Sequence, residues 1–423
     1  MAMKESGIEW VGLIPDTWSV IPNKYVMHKE KNLCEKWTGE DVMSLTMNGV
    51  IVRDLQNPTG KMPATFDGYQ YIEDGDLLMC LFDIDVTPRC VGKVTHNGVT
   101  SPAYSNFKVH DNASRDYFYY YYLMVDNTKE LLHLAKNLRH SFTEEQLGQL
   151  KVPMPPLSEQ QAIADYLDET CSQIDEIIAE AKASIDEYKE LKQSVIFEAV
   201  TKGLDKNVEF IDSSYEWLGK YPKSYNIGQL SMLSNIVRGG SPRPAGDPRY
   251  YGGNISFMRI SDITKEDNIY VNSCENTITE EGLTRTRMIP PNTLLLTNSG
   301  ATLGVPKINT FETAFNDGIA AFLDLDERLN IVYVYFCLKA RTSYFLECAS
   351  MGMGQPNLNT DIIGRAKIVF PTLVEQQKVV SYLEDRCGKL NSLIVEKKSL
   401  IADLEAYKKS LIYEVVTGKR RVV

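Results

Sequence analysis

Two stretches of the chain place apolar residues at seven-residue intervals, and the first stretch lies within residues 157–204. One row of apolar positions starts at Leu167 and a second starts at Cys171. Neither proline nor glycine occurs between Ser158 and Thr201, so the pattern predicts a helix roughly 65 Å long at 1.5 Å per residue. Two apolar rows with this period are typical of a coiled coil. The residues expected in its seam are Leu167, Ile174, Ile178, Ile185 and Tyr188.

The second stretch repeats the first one, 216 residues further along the chain. LSEQQAIADYL at Leu157–Leu167 becomes LVEQQKVVSYL at Leu373–Leu383, and Pro155–Thr201 aligns with its second copy without a gap. A weaker repeat precedes each copy, because IEWVGLIPDTW at Ile8–Trp18 resembles YEWLGKYPKSY at Tyr215–Tyr225. The seam residues expected in the second copy are Leu383, Leu390, Ile394, Ile401 and Leu404. Because the same scaffold occurs twice in the chain, we predict that a pseudo-two-fold axis relates the two copies and that the two long helices pack antiparallel.

A lysine interrupts the seam at the same place in each copy, Lys192 in the first and Lys408 in the second. A lysine inside a coiled-coil seam weakens the apolar packing, but it can fix the register of the two helices. The alternative is that both side chains extend past the seam and place their ammonium groups in solvent. The sequence favours neither of these interpretations.

The segments outside the repeated helices combine strand-like and helical patterns. We therefore predict an α+β fold with mixed α/β domains at 1–152 and 205–370 and long coiled-coil helices at 153–204 and 371–423. In the first domain we expect a helix that runs from Tyr117–Met124 to Leu138, and strands at Asp41–Ile51, Asp76–Phe82, Cys90–Thr95 and Ser105–Val109. In the second domain we expect a helix at Ile331–Leu346 and strands at Ile255–Ile260, Thr293–Thr297 and Ile319–Leu325.

The net charge of the 423 residues is −11, which by itself argues mildly against nucleic acid as a partner. The charge is uneven, however: residues 157–204 carry −7 and residues 373–423 carry +3. No apolar run is long enough to span a bilayer and no signal-peptide pattern is present, so a cytoplasmic location without a membrane partner is expected. The eight scattered cysteines are expected to be reduced, and the five histidines lack metal-ligand spacing.

Motifs of common catalytic sites are missing from the sequence. It has no G-x-x-x-x-G-K-[ST] phosphate loop and no G-x-S-x-G nucleophile elbow. Glu-x-Lys triplets, which occur in nuclease sites, are found at Glu180–Lys182 and Glu187–Lys189. These triplets belong to the predicted coiled coil, where flanking charges are expected. The chain is therefore predicted not to be an enzyme and to bind neither a cofactor nor a metal.

Three segments of the second mixed domain have the composition of nucleic-acid contacts. RGGSPRPAGDPRYYGG carries Arg238, Arg243 and Arg249 beside two tyrosines, and basic and aromatic side chains on one loop suit DNA or RNA. TNSGATLG at Thr297–Gly304 offers backbone N–H groups and hydroxyls to a phosphate. GMGQPNL at Gly352–Leu358 offers two amides that can pair with adenine edges. The alternatives are a solvated loop, a tight turn and structural amides, respectively.

The repeat order and its motifs resemble the specificity subunit of type I restriction–modification systems over essentially the whole chain. The main carriers are PMPPLSEQQAIADYLDE at Pro153–Glu169 and FPTLVEQQKVVSYLED at Phe370–Asp385. The resemblance implies two target-recognition domains that each read half of a split double-stranded DNA sequence, with the paired helices as a spacer. It also implies that two methyltransferase subunits dock on the helices and that motor–nuclease subunits join them. S-adenosylmethionine, ATP and Mg are then expected on these partners.

The same resemblance implies which residues face DNA. In the second domain they include Arg243, Asn298, Ser299, Thr302, Gln355 and Asn357, and the composition of the arginine-rich loop adds Arg238 and Arg249. The first domain departs from this subtype and offers LTMNGVIVRDL, TSPAYSNF and LRHSF instead. The residues expected to face DNA there are Arg53, Tyr104 and Arg139.

Two further functions stay open on the sequence. One is a DNA-recognition scaffold of another methylation or anti-phage complex that has no cleaving partner. The other is a self-sufficient nuclease, against which the missing motifs argue. Because the chain is acidic, we expect partner subunits to supply much of the charge that neutralises phosphates, and the isolated chain to bind DNA weakly.

Overall fold

The computed structural model of the chain describes residues 2–58, 60, 62–135, 140–300, 302–350 and 357–422. The chain forms two compact units: Met1–Lys182 with Lys398–Val423 is the first, and Ala183–Lys397 is the second. Each unit contains one mixed α/β domain, a part of the first long helix and a part of the second.

Both long helices are present, as the heptad pattern predicts. The first long helix runs from Leu157 to Lys202 over 46 residues, and the second runs from Leu373 to Val416 over 44 residues. Each ends close to a glycine in the left-handed region, at Gly203 with φ +69° and Gly418 with φ +70°. Glycine adopts this conformation without strain, which makes it a common residue after a helix. The predicted fold class is confirmed.

The two long helices pack antiparallel inside each unit. In the first unit Lys408 Nζ donates to both carboxylate oxygens of Asp175 at 2.6 Å. In the second unit Lys192 Nζ donates to Asn391 Oδ1 at 2.7 Å. These pairs are equivalent in the internal repeat, because Lys408 corresponds to Lys192 and Asn391 to Asp175. Both lysines therefore pair across the seam at matched positions, which favours the interpretation that they fix the register.

Most of the predicted seam residues are buried. Those with little exposure are Leu167, Ile174, Ile178, Ile185, Leu383 and Leu390. The half-buried ones are Tyr188, Ile394, Ile401 and Leu404. The Lys408–Asp175 and Lys192–Asn391 pairs add polar groups to this seam. The seam is thus apolar with two polar layers, a pattern that specifies one alignment at some expense of stability.

The first unit builds its mixed domain from two sheets in the described residues. The four-stranded antiparallel sheet has the order Val91–Lys93, Leu77–Met79, Ser105–Val109 and Met27–Glu30. The five-stranded sheet has the order Leu33–Cys34, Tyr69–Ile72, Gly98–Thr100, Val42–Thr46 and Gly49–Val52. Smaller strand pairs join Met3–Glu5 to Leu13–Pro15 and Ser19–Pro22 to Lys151–Met154. The shorter helices are Asn23–Tyr25 (a 3-10 turn), Arg115–Asn127, Glu130–Leu134 and Glu144–Gln149.

The second unit is built in the same way. Its five-stranded sheet has the order Asn235–Arg238, Ile319–Leu323, Leu294–Thr297, Pro306–Asn309 and Tyr270–Val271. Its four-stranded sheet has the order Thr277–Ile278, Tyr251–Met258, Thr313–Phe315 and Met288–Ile289. Smaller pairs join Phe210–Asp212 to Lys220–Pro222 and Asn226–Gln229 to Lys367–Phe370. The shorter helices are Leu230–Leu233, Ile260–Thr264, Glu280–Leu283, Ile331–Lys339, Thr342–Ser350 and Thr360–Arg365.

One element of the first unit differs from the sequence-based expectation at a turn. The strand expected at Asp41–Ile51 is a hairpin of Val42–Thr46 and Gly49–Val52. Gly49 has φ +96°, and the Thr46 hydroxyl donates to its carbonyl at 3.0 Å, so the chain reverses there. The strand Ser105–Val109 has the expected ends, and the strands expected at Asp76–Phe82 and Cys90–Thr95 are shorter, at Leu77–Met79 and Val91–Lys93.

Two expected helices are shorter than predicted. The helix that begins at Arg115 ends at Asn127, because Lys129 takes a left-handed conformation with φ +54°; Leu138, its expected end, lies outside the described residues. In the second unit the expected helix Ile331–Leu346 ends at Lys339, and another begins at Thr342. The Thr342 hydroxyl donates to the Lys339 carbonyl at 3.1 Å, a side-chain bond of the kind that competes with the helical ladder.

Equivalent tyrosines fasten each domain to the end of a long helix. In the first unit the buried Tyr117 hydroxyl donates to the Val416 carbonyl at 2.9 Å. In the second unit the buried Tyr333 hydroxyl donates to the Val200 carbonyl at 2.9 Å. Burial raises the pKa of both hydroxyls well above the usual value, so they remain donors at any physiological pH. The internal repeat therefore repeats tertiary hydrogen bonds as well as helix pattern.

The repeated EQQ segment has a structural role that follows from the same comparison. Gln160 is fully buried; its carbonyl oxygen accepts from the Ser114 N–H at 2.7 Å, and its amide donates to the Pro155 carbonyl at 2.8 Å. Gln376 makes the equivalent bonds to the Asn330 N–H and the Pro371 carbonyl. Each glutamine therefore connects the start of a long helix to the start of a domain helix.

Replacement of Gln160 by Met is expected to destabilise the chain by about 2–4 kcal/mol. Methionine has a similar size, but it leaves the Ser114 N–H and the Pro155 carbonyl buried without partners, at about 1–3 kcal/mol each. The free energy of unfolding in denaturant measures the effect. The matched control is Gln161→Met, because Gln161 is exposed and bonds only to Asp165. Equal stability of the two variants would contradict the assignment.

Candidate nucleic-acid interface

Three of the sequence-predicted segments meet around one turn of the second unit, Asn316–Gly318. Arg238 Nε donates to the Asp317 carbonyl at 2.5 Å, and the Ser241 hydroxyl donates to the Asp317 carboxylate at 2.6 Å. The Asn298 N–H donates to the Gly318 carbonyl at 2.9 Å. Ser299 and Asn357 form a β-bridge. The structure therefore brings Arg238, Asn298, Ser299 and Asn357 to one place, although their three segments are far apart in sequence.

Glycines allow these loops to approach each other closely. A Cβ added to Gly240 would lie 2.0 Å from the Arg285 carbonyl oxygen, and one added to Gly239 would lie 2.3 Å from the Phe315 carbonyl oxygen. The Gly240 N–H donates to the Thr286 hydroxyl at 3.1 Å, which in turn donates to the Phe315 carbonyl at 2.6 Å. The arginine-rich loop is therefore held against the segment around Thr286.

This contact adds two arginines that the sequence did not single out. Arg285 and Arg287 flank Thr286 and are both exposed. Among the described residues neither of their guanidinium groups, nor that of the exposed Arg243, has an ion pair or a hydrogen bond. Three uncompensated cations around one set of loops give a positive surface suited to phosphates. The alternation of threonine and arginine in TRTR was the sequence signal for these two arginines, but the position of this segment beside Gly240 could not be predicted from the sequence.

Arg249 differs from these arginines because its charge is compensated locally. Its guanidinium donates to both carboxylate oxygens of Asp247, at distances down to 2.8 Å, and lies over the Tyr250 ring. Hydrogen bonds from Arg249 lower the pKa of Asp247, and those to Asp247 raise the pKa of Arg249. The pair therefore stays ionised and nearly neutral as a unit, which weakens its attraction to phosphate.

The remaining predicted residues of this unit occupy different environments. Thr302 is exposed, and its carbonyl accepts from the Thr297 hydroxyl at 2.7 Å. The side-chain amide of Asn298 is fully buried, and among the described residues neither its oxygen nor its nitrogen has a hydrogen-bond partner. A contact between this amide and DNA therefore requires the surrounding loops to move. Gln355 lies outside the described residues.

In the first unit, two of the three predicted residues are neighbours. Arg53 follows the strand Gly49–Val52, and Tyr104 packs against the buried Met43 and Leu78. Burial raises the pKa of the Tyr104 hydroxyl, and the nearby positive charge of Arg53 opposes this rise. Both side chains are half-buried. Arg139 lies outside the described residues.

A second type of surface lies along the long helices, at positions that flank the seam. Leu393, Leu400 and Tyr407 follow one another at seven-residue intervals and are 38%, 39% and 46% exposed. The first long helix carries Ile177 and Leu191, each 45% exposed, at the positions equivalent to Leu393 and Tyr407. Exposed apolar rows with helical spacing are typical of surfaces that pack against another helix.

The interface offers guanidinium, hydroxyl and amide groups, which bind phosphates and base edges by hydrogen bonds. Within the part of the chain that the structure describes, no cluster of histidine, cysteine or acidic side chains is arranged to hold a metal ion. In the same part, no helix combines the length and the apolar character needed to cross a membrane.

The sequence matches the family model of the type I restriction modification DNA specificity domain over residues 84–187 and 222–401, more than half of the chain. Among curated proteins, the type I restriction enzyme MjaIX specificity subunit of Methanocaldococcus jannaschii is 29% identical over 205 residues. That alignment covers 45% of this chain and 47% of the relative, so it spans about half of the relative's length.

Solved structures show the same fold. A chain from a study of complex assembly and conformational transition of the type I restriction–modification system has a TM-score of 0.72 at 14% identity, covering 96% of this chain and 99% of that one. The HsdS subunit of Thermoanaerobacter tengcongensis has a TM-score of 0.53 at 14% identity, covering 96% and 98%. With the family match and the duplicated scaffold, these likenesses confirm the resemblance seen in the sequence: the chain belongs to the DNA specificity subunits of type I restriction–modification systems.

Proposed function

We propose that each unit of this chain reads one half of a bipartite double-stranded DNA target, and that the long helices set the separation between the halves. The observation that carries the proposal is the duplicated scaffold with two different surfaces. Tyr117 and Tyr333, and likewise Gln160 and Gln376, make the same bonds in both units. The loops around these scaffolds differ, as two unlike half-sites require.

In the second unit, DNA contact is assigned to the loops around Asn316–Gly318. Arg243, Arg285 and Arg287 supply cations for phosphates, since phosphate contacts carry most of the affinity. Ser299, Thr302 and Asn357 supply hydroxyl and amide groups that can read base edges. In the first unit, Arg53 and Tyr104 have this role.

We assign the exposed apolar rows of the long helices to the docking of two methyltransferase subunits. Leu393, Leu400 and Tyr407 present a continuous helical row, and Ile177 and Leu191 present its equivalent on the first long helix. A partner helix packed on such a row removes it from water, which stabilises the complex by about 25 cal/mol per Å² of apolar area. Motor–nuclease subunits then join this core, and catalysis with its S-adenosylmethionine, ATP and Mg belongs to the partners.

The net charge of −11 limits the affinity of the chain alone for DNA. The first long helix is strongly acidic, and the positive residues are spread over the second long helix and the remainder of the chain. We therefore expect the partners to neutralise many of the phosphates. Tight, sequence-specific binding of DNA by the purified chain without partners would contradict this expectation.

Methylome sequencing tests the proposed function directly. Cells that express the chain with its methyltransferase partner are expected to carry adenine methylation at one bipartite motif with a fixed gap. Cells with the methyltransferase alone are the control and are expected to lack that motif. A continuous motif, or the same motif without the chain, would refute the proposal.

Removal of two of the loop arginines tests the phosphate contacts. The double variant Arg285→Ala/Arg287→Ala is expected to reduce the slope of log affinity against log salt concentration by about 2, because each phosphate contact contributes about 0.9. DNA binding by the assembled complex is measured between low and moderate salt. The matched control is Arg249→Ala, which removes a guanidinium already paired with Asp247 and should leave the slope nearly unchanged. An unchanged slope for the double variant would place DNA elsewhere.

A further inference from the structure

A buried arginine of the second unit has no acidic partner. Arg341 follows the helix Ile331–Lys339 and is 5% exposed. Its guanidinium carbon lies 3.7 Å from the Trp217 ring centre and 4.1 Å from the Tyr344 ring centre. Its Nη1 donates to the Lys367 carbonyl at 2.8 Å. Two aromatic rings and one carbonyl therefore fix the guanidinium in place.

The remaining donors of Arg341 are unused. Nε is buried, and among the described residues neither Nε nor Nη2 has a hydrogen-bond partner. Nε and Nη2 form the edge with which a guanidinium binds both oxygens of a carboxylate or phosphate. Burial lowers the pKa of Arg341 to about 10, which still leaves it charged at neutral pH. A buried cation with an unpaired donor costs free energy that an anion would offset.

A second cationic residue, Lys367, lines a cavity together with Arg341. Lys367 lies 4.4 Å from the Tyr215 ring centre and donates to the Tyr215 hydroxyl. No acid among the described residues forms an ion pair with it. Both Tyr215 and Trp217 belong to the opening motif that recurs in the two halves.

The first unit shows that the scaffold does not need this arginine. The residue equivalent to Arg341 is Val125, which is buried in the apolar core. The indole of Trp10, the equivalent of Trp217, donates to the Tyr121 hydroxyl at 3.2 Å instead of stacking on a cation. One scaffold thus folds with valine or with arginine at this position, so the fold alone does not explain the arginine.

The cavity beside Arg341 favours one class of anion. Trp217, Arg341 and Lys367 form its polar side, while Val200, Ile368 and Val369 are among its apolar walls. The cavity has a volume of only about 10 Å³, so it has no room for a hydrated tetrahedral phosphate and admits at most the oxygens of a planar carboxylate whose carbon stem stays outside. It lies where the first long helix ends and next to the strand that precedes the second, rather than among the arginine-bearing loops around Asn316–Gly318.

We propose that Arg341 and Lys367 form a receptor for a carboxylate of the docked methyltransferase subunit, either an acidic side chain or the chain terminus. This inference rests on the proposed function, which supplies the partner. Arg341 binds the carboxylate through Nε and Nη2, and Lys367 adds a second positive charge. Because only the second unit has the arginine, the two docking places of the chain differ in strength.

The test is the affinity of the full chain for the methyltransferase subunit, measured by titration calorimetry without DNA. Arg341→Val installs the residue of the first unit and is expected to weaken the second docking event by about tenfold to a hundredfold, the range for a charge-assisted bond. Arg341→Lys should restore only part of the loss, because lysine has no two-pronged edge. The control is Arg365→Val, which removes an exposed arginine of the same unit.

The melting temperature of the free chain separates docking from folding. We expect Arg341→Val to melt no lower than the wild type, as an unpaired buried cation is removed. If that variant does not fold, Lys367→Met, at a half-buried position, is expected to weaken docking by several-fold. Undiminished docking of the folded variants would overturn the inference. If these variants dock normally but bind DNA more weakly, the site binds a DNA phosphate instead of a carboxylate, and the inference is also overturned. A wild-type chain that binds no methyltransferase would instead refute the proposed function.

Discussion

Duplication of one heptad in each long helix is expected to lengthen the preferred gap between the two DNA half-sites by about three base pairs. The duplicated segments are residues 180–186 in the first long helix and the equivalent residues 396–402 in the second. Seven helical residues add about 10 Å to the pair of helices, and the duplex rises 3.4 Å per base pair. The variant is therefore expected to methylate targets with the longer gap and to stop methylating targets with the original gap.

The positions of the duplicated segments follow from the two polar layers of the coiled coil. Both segments lie between the Lys408–Asp175 pair and the Lys192–Asn391 pair. Because seven residues are one full seam repeat, both pairs can form again after the duplication. Three base pairs also turn the second half-site by about 100° around the duplex, so methylation at the new spacing is expected to be less efficient than at the old.

The measurement is the methylation of a target library in which only the gap between the half-sites varies. The control duplicates the heptad in the first long helix alone, which moves Lys192 away from Asn391 or Asp175 away from Lys408. That variant should lose activity at every gap instead of acquiring a new one. If the double duplication kept the original gap, the helices would not set the spacing.

The features that were predictable from sequence are those set by local pattern. The long helices follow from heptads without proline, and Gly203 and Gly418 follow their last turns. The antiparallel pairing followed from the repeat, because two equal halves of one chain meet most simply around a two-fold axis. The register that places Lys192 opposite Asn391 could not be predicted from the sequence, since a heptad pattern allows several alignments of two helices.

Polar groups of the repeat were recognisable, but their roles were not. Gln160 belongs to the repeated LSEQQ segment, but the sequence did not show that it is buried and bonds to Ser114 and Pro155. The bond to Ser114 joins residues 46 positions apart, and no local pattern encodes such a contact. The comparison of the two halves explains why both copies keep this glutamine: each needs the same link.

Sequence-based prediction has the same limit for the loops of the candidate interface. Arg249 looks like a phosphate ligand in the sequence, but the turn places Asp247 against it and compensates its charge. Arg285 looked unremarkable, yet the packing of Gly240 against its carbonyl brings it to the loops around Asp317. Charge compensation and proximity are properties of the folded chain, so the sequence alone could not rank these arginines.

Replacement of Gly240 by Ala is expected to weaken recognition of the second unit's half-site by about a hundredfold or more. The added Cβ would lie 2.0 Å from the Arg285 carbonyl oxygen and 3.1 Å from the Thr286 Cα, so the backbone itself must shift. Such a shift breaks the Gly240–Thr286 bond and separates Arg238 and Arg243 from Arg285 and Arg287. Loss of two contacts, each about 1–3 kcal/mol, corresponds to that factor.

Gly246→Ala is the matched control in the same loop. Gly246 has φ +80°, but no atom lies within 4 Å of its added Cβ, so this variant carries about 1–2 kcal/mol of backbone strain without a collision. It is expected to retain most of the methylation at the wild-type motif, while Gly240→Ala loses it and still assembles with the methyltransferase. Binding of the assembled complex to duplexes altered in one half-site at a time shows which half is affected. Wild-type recognition by Gly240→Ala would mean that the loop from Arg238 to Arg243 does not contact DNA, because its displacement from Thr286 would then have no consequence for the target.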